Sequence, residues 1–117
     1  LVHGPGADVL WQRPDAHYDP WTGYYKDAAG QYWNALDQPI QSPLRRRYLE
    51  TLATLGHACM ALSQWRHAED AWRQLIARDS VNETAYRMLT RCLEELGELR
   101  EARRIHEPLV TALRDEL

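Results

Sequence analysis

Residues 52–75 and 86–109 are two passes through one pattern, offset by 34 positions: Leu55 matches Leu89, Ala68 matches Ala102 and Leu75 matches Leu109. An offset of 34 is the length of a pair of antiparallel helices, and such a pair buries its apolar face only when a neighbouring pair stacks on it. The chain therefore reads first as a stack of helical hairpins, an architecture used for contact with other proteins.

At 117 residues the chain has room for about one domain. Ser42 is placed to cap a first helix with Pro43 in its first position, and Leu44, Tyr48, Leu52, Leu55, Cys59 and Leu62 recur at helical spacing. This predicts a helix over about 43–62 with that stripe buried. Ser63 is the expected cap of a second helix, which turns Trp65, Ala68, Trp72 and Leu75 inward and ends near Arg78. Ser80 and Glu83 have the spacing of a capping box, so a third helix is expected to begin there. Tyr86, Leu89, Leu93 and Leu96 supply its stripe, and Gly97 suits the left-handed residue that ends it. A fourth helix over about 98–116 closes the second hairpin, with a kink expected at Pro108 because proline removes an amide from the ladder.

Residues 1–43 are composed differently, holding five of the six prolines and seven of the eleven aromatic residues. Tyr24, Tyr25 and Lys26 and then Gln31, Tyr32 and Trp33 flank Asp27-Ala28-Ala29-Gly30, whose Asp and Gly occupy the first and fourth positions of a type I turn. A short aromatic β-hairpin is predicted there. Two helical hairpins are fewer than the roughly three that a repeat stack needs, so Trp11, Trp21, Trp33 and the nearby tyrosines are the expected cap of the stack. The alternative use of the same rings is a platform for a peptide. Residues 18–25 also resemble the aromatic octamer repeats of the OCRE domain.

The net charge of −3 comes from the first part of the chain, because residues 44–117 balance twelve basic against twelve acidic side chains. A surface that grips nucleic acid unaided carries a positive excess. Arg45, Arg46 and Arg47 are the local exception, suited only to helping another domain touch DNA phosphates. Cys59 and Cys92 fall inside predicted helices, Cys59 as a small core hydrophobe. Nothing reads as a signal peptide or as an apolar run long enough to span a bilayer, so a cytoplasmic location and no membrane partner are expected.

His57 and Cys59 are two apart on a helix and diverge, which does not suit one metal ion. No phosphate loop, nucleophile elbow or His-Glu metal motif is present, and Glu94 with Glu95 reads as a solvated helix face. No enzyme activity and no cofactor is expected. A binding groove is the better candidate, since the first helix of each hairpin lines the concave side of a stack. Helical spacing places Glu50, Ala53, His57 and Met60 there from one hairpin, and Thr84, Arg87, Arg91 and Glu94 from the next. Arg87 and Arg91 share a face and suit a carboxylate, a phosphate or an acidic peptide. The competing reading pairs them with Glu83, Glu94 and Glu95 on a solvated surface. Arg87, Arg91, His57 and Glu50 are the candidate partner-binding residues.

From Leu44 onward the chain resembles the bacterial transcriptional activator domain, the tetratricopeptide-like module of regulators of the Streptomyces antibiotic regulatory protein type. Three stretches carry the resemblance: residues 44–52 with Arg45-Arg46-Arg47-Tyr48, residues 75–89 with Asp79-Ser80-Val81-Asn82-Glu83, and Gly97 with Glu101-Ala102 and residues 113–117. Ser80 stands where the family commonly has proline. The resemblance implies a transcription-regulatory module that accompanies a winged-helix DNA reader. Its implied partners are itself, RNA polymerase or other regulators, with DNA reached through a separate domain. The expected architecture is mostly α: an aromatic segment over 1–42 and two tetratricopeptide-like hairpins over 43–117. Other uses compatible with that fold are a general scaffold holding a peptide tail and a sensor of a small anionic ligand through the groove arginines.

Overall fold

Three turns built on Asp or Asn side chains fold the aromatic segment. The computed structural model describes residues 14–105, together with 107, 111 and 114. Trp11, the Pro108 kink and the expected end of the fourth helix lie outside the described residues. Four short strands, β1 (His17–Asp19), β2 (Tyr24–Lys26), β3 (Tyr32–Trp33) and β4 (Pro39–Ile40), form an antiparallel meander in sequence order. The predicted hairpin is β2–β3, and β1 and β4 extend it on either side.

In the β2–β3 turn, Asp27 Oδ1 accepts from the amides of Ala29 (3.0 Å) and Gln31 (2.9 Å). In the β3–β4 turn, Asn34 Oδ1 accepts from Leu36 (2.9 Å) and Gln38 (3.0 Å) in the same arrangement. In the β1–β2 turn, Asp19 Oδ1 accepts from Trp21 (3.0 Å) and Oδ2 from the Thr22 hydroxyl (2.9 Å). Each turn ends on a left-handed residue, Gly23, Gly30 or Asp37, a position short polar side chains tolerate better than most.

Four helices follow: α1 (Pro43–Ala61), α2 (Trp65–Arg78), α3 (Glu83–Glu95) and α4 (Leu99–Arg104). The chain is thus mostly α, with a small β cap. Ser42 caps α1 as expected, its hydroxyl accepting from the Arg45 amide at 3.2 Å. Two other caps differ from expectation. Ser63 does not cap α2; it takes a left-handed φ of 57° as the residue that ends α1. Its amide reaches Met60 O and the Gln64 amide reaches Cys59 O, and the same double bond recurs one repeat later, from Gly97 to Glu94 O and from Glu98 to Leu93 O. Nor does α3 begin at Ser80. Asp79, Ser80 and Val81 form a turn in which Asp79 Oδ1 accepts from the Val81 amide, and Asn82 is the cap, its Oδ1 accepting from Ala85 N at 2.9 Å.

The core forms where α1, α2 and α3 meet, around Trp72, Leu75, Leu89 and Leu93, with Tyr24 and Tyr32 of the meander sealing one side. The stripe expected on α1 is rotated. Leu49, Leu52, Ala53, Gly56 and Cys59 face inward, while Leu44, Tyr48, Leu55 and Leu62 face solvent. The rotation follows from Trp72, whose indole lies flush on the α1 backbone at Gly56, where any Cβ would overlap the ring. Gly56→Ala is therefore expected to destabilise the chain by about 1–3 kcal/mol, although alanine is the better helix former. A lowered urea midpoint checks this; an unchanged or raised midpoint contradicts it.

Candidate protein-contact surface

The β1–β2 turn wedges into the cleft between α1 and α3, so the concave side predicted as an open groove is filled by the chain itself. On the α1 side, the Trp21 ring stacks on His57 with centroids 3.8 Å apart and planes 25° apart. His57 Nε2 donates to the Trp21 carbonyl at 2.9 Å, and Trp21 Nε1 reaches Thr54 Oγ1 at 3.4 Å. The other edge of His57 abuts Trp72 at 84°. On the α3 side, Thr84 Oγ1 donates to the Pro20 carbonyl at 2.9 Å, which leaves it to accept from the Tyr18 hydroxyl at 2.8 Å. Asn82 Nδ2 donates to the Thr22 carbonyl at 2.7 Å. One residue thus caps α3 and holds the wedge.

Glu50, the fourth candidate, accepts from the Tyr32 hydroxyl at 2.6 Å, and burial together with this carboxylate pushes the Tyr32 phenol up to about 12. His57 and Glu50 are therefore both engaged by the meander. Arg87 and Arg91 remain exposed on α3 beyond Thr84. Burial raises the Tyr18 phenol, and the nearby Arg87 guanidinium partly offsets that effect. Arg91 lies 3.8 Å from Glu95, an exposed pair of little energetic weight. The three N-terminal arginines of α1 do not converge. Arg45 donates to the Arg78 carbonyl at 3.0 Å, Arg46 lies over the Tyr32 ring at 5.4 Å, and Arg47 projects to solvent. Cys59 and Cys92 are buried free thiols, and burial pushes Cys92 up to about 11, far from thiolate reactivity at neutral pH.

A profile described as bacterial transcriptional activator domain matches residues 18–117, the meander as well as the helices. The chain belongs to this family. It is a transcriptional regulator module, and the span the family profile recognises takes in all of the aromatic meander but His17. No curated protein and no solved structure matches it. Among the described residues no helix is long and apolar enough to cross a membrane, and no group of three His, Cys, Asp or Glu side chains is disposed to hold a metal.

Two buried residues beside this surface in the activator-domain chain, Asn82 and Asp79, carry no signal that spacing alone reveals. Trp21, expected as a cap ring or as part of a peptide platform, covers His57 on one side and is 50% exposed. Asn82, not Ser80, caps α3; Asn is as good a cap, and the next residue is the first of the helix. Asp79 is buried, with Oδ2 unbonded and the equally unbonded Tyr24 hydroxyl nearby. Burial raises the Asp79 carboxyl above its ordinary value of 3.8; the Val81 amide and then Tyr24 and Arg45 oppose the rise. A carboxyl raised on folding contributes stability that is full below its unfolded pKa and is lost as pH rises through the folded pKa. Asp79→Asn, which keeps an acceptor for Val81, is expected to be more stable than the native chain at pH 7. It should also show a flatter loss of stability upward from pH 4. Urea midpoints from about pH 4 to 8 check both, and a less stable variant at pH 7 contradicts the assignment.

Proposed function

We propose that this regulator module works by protein contact, through a surface that the β1–β2 turn and α3 build together. Trp21 is the observation that carries the reading. Its ring is half exposed yet already fixed against His57 and Thr54, so a partner gains a large aromatic contact without ordering a mobile side chain. Arg87 and Arg91 are exposed one turn apart on α3, the helix whose Thr84 holds the same β1–β2 turn, and carry donors for carboxylates. The occupant such a surface suits is an acidic segment with an apolar side chain for Trp21, supplied by RNA polymerase or another regulator. In this reading the module performs no catalysis, and DNA sequence is read by a separate domain.

Affinity capture from a bacterial lysate tests the reading, comparing the native chain with Trp21→Ala and with the Arg87→Glu, Arg91→Glu double variant. RNA polymerase subunits or a DNA-binding regulator are expected with the native chain and at least about tenfold less with either variant, a loss of about 1.4 kcal/mol. Capture indifferent to both variants would remove the surface from consideration.

A further inference from the structure

Three elements enclose a pocket of about 340 Å³: the β3–β4 turn with β4, the first turn of α1, and the turn between α2 and α3. Leu36, Pro39, Ile40 and Val81 supply its apolar lining, and Gln38, Arg45, Arg78 and Ser80 its exposed polar lining. What the polar groups offer is one-sided. The Asn34 amide oxygen already accepts from the Leu36 and Gln38 amides, and the Gln38 amide oxygen accepts from Asn34 Nδ2 at 2.8 Å. Asp79 Oδ1 accepts from the Val81 amide, and Oδ2 is shut off from solvent. The donors are not spent in this way. Among the described residues the Arg78 guanidinium, Gln38 Nε2 and Ser80 Oγ reach no acceptor, and Arg45 donates through one nitrogen, to the Arg78 carbonyl at 3.0 Å. Neither arginine has a carboxylate within ion-pair distance among those residues.

We propose that this pocket binds a small organic dianion, a phosphate monoester or a dicarboxylate, held by Arg45 and Arg78 with its carbon part against Leu36, Pro39 and Ile40. Two guanidiniums match two negative charges, and each presents paired N–H groups in the geometry of carboxylate and phosphate oxygens. Gln38 and Ser80 add neutral donors beside them. The volume lies at the small end of ligand pockets, which run from about 300 to 1,000 Å³, and so suits a metabolite rather than a peptide.

Both cations are already held in place. Arg45 is fixed by its bond to the Arg78 carbonyl, and the Arg78 guanidinium lies over the Tyr48 ring at 5.4 Å, a contact that spends none of its N–H groups on an oxygen. A ligand meeting them therefore loses little in ordering side chains. Asp79 is the one acidic residue of the lining, and its charge opposes an anion. Burial raises its carboxyl, which leaves less of that opposing charge at a given pH. Because the meander, α1 and the α2–α3 turn each contribute lining residues, an occupant stabilises their docking in proportion to its concentration. The site shares no residue with the Trp21 and Arg87 surface and does not rest on that reading.

Backbone amide chemical shifts of the whole chain test the site, in separate titrations at low salt with phenyl phosphate, succinate and inorganic phosphate. At least one of the two organic anions is expected to move the Gln38, Ser80 and Val81 amides, saturating with a Kd of about 0.1–1 mM, and the tighter of them identifies the head group. Inorganic phosphate, which has no carbon part, is expected to bind more weakly. Arg78→Gln is expected to raise the Kd at least about fivefold, and Arg45→Gln together with Arg78→Gln to abolish binding, with helical circular dichroism unchanged because both positions are exposed. Arg47→Gln, which removes an exposed cation of α1 outside the lining, is expected to change nothing. Asp79→Asn is expected to bind at least as tightly, since it removes the opposing charge. The site is overturned if neither organic anion moves these amides at up to about 20 mM, or if inorganic phosphate binds as tightly as they do. It is equally overturned if Arg47→Gln weakens binding as much as Arg78→Gln, the mark of surface charge alone, or if Asp79→Asn weakens it. None of these results touches the capture of transcription proteins, so the two readings fail separately.

Discussion

Trp72→Ala is expected to lower the free energy of unfolding by about 3–5 kcal/mol, a large share of the roughly 5–15 kcal/mol that holds a small domain together. The side chain is fully buried against α1: it covers Gly56 and meets His57 in a T-shaped contact with centroids 4.9 Å apart. Removing it opens a cavity that α1 cannot close, because Leu49 and Leu52 are already committed to other parts of the core. It also removes the support beneath His57, on which Trp21 stacks. Trp72→Phe should lose far less, since it keeps most of the volume and eliminates a buried indole N–H that has no acceptor. Urea unfolding of the three proteins checks the order native, Phe, Ala; an Ala variant within about 1 kcal/mol of native contradicts the packing account.

Asn82→Ala is expected to cost about 2–4 kcal/mol. The side chain is 1% exposed and serves two elements at once. Its loss strips the cap from the Ala85 amide and leaves the Thr22 carbonyl buried without its donor. Asn82→Asp separates the two roles: it keeps the cap but sets a carboxylate oxygen against the Thr22 carbonyl. The account therefore predicts that Asp recovers little of the loss, whereas a helix cap acting alone would be restored fully. Gly23 belongs to the same contact, because any Cβ there would overlap the Asn82 amide.

Much of this architecture was legible from residues. The 34-residue offset gave two hairpins, and Asp27 with Gly30 gave the β2–β3 turn, because both signals are local. The outer turns were harder. Asn34-Ala35-Leu36-Asp37 repeats Asp27-Ala28-Ala29-Gly30 with Asp in place of the glycine, and the strands beside it are only two residues long. The buried face of α1 differs from the expected one for a tertiary reason. Leu55 and Leu89 match in the repeat, but Leu89 has α2 against it and Leu55 has no helix of the described chain. Local helical period cannot say which of two apolar stripes is covered. The candidate site was legible only in part: spacing placed His57, Glu50, Arg87 and Arg91 near one groove, but whether that groove is open depends on contacts from residues more than thirty positions away, such as Trp21 to His57.

The proposed contact surface exists only while the meander stays docked on the hairpins. Native-state hydrogen exchange in low urea measures this directly, by comparing strand amides at Tyr25 and Lys26 with helix amides at Leu89 and Leu93. The account predicts one opening free energy and one urea dependence for both sets, because Asn82, Thr84 and His57 tie the meander to α1 and α3. Strand amides that open several kcal/mol below the helices, with little urea dependence, would show a meander that undocks on its own and would contradict it.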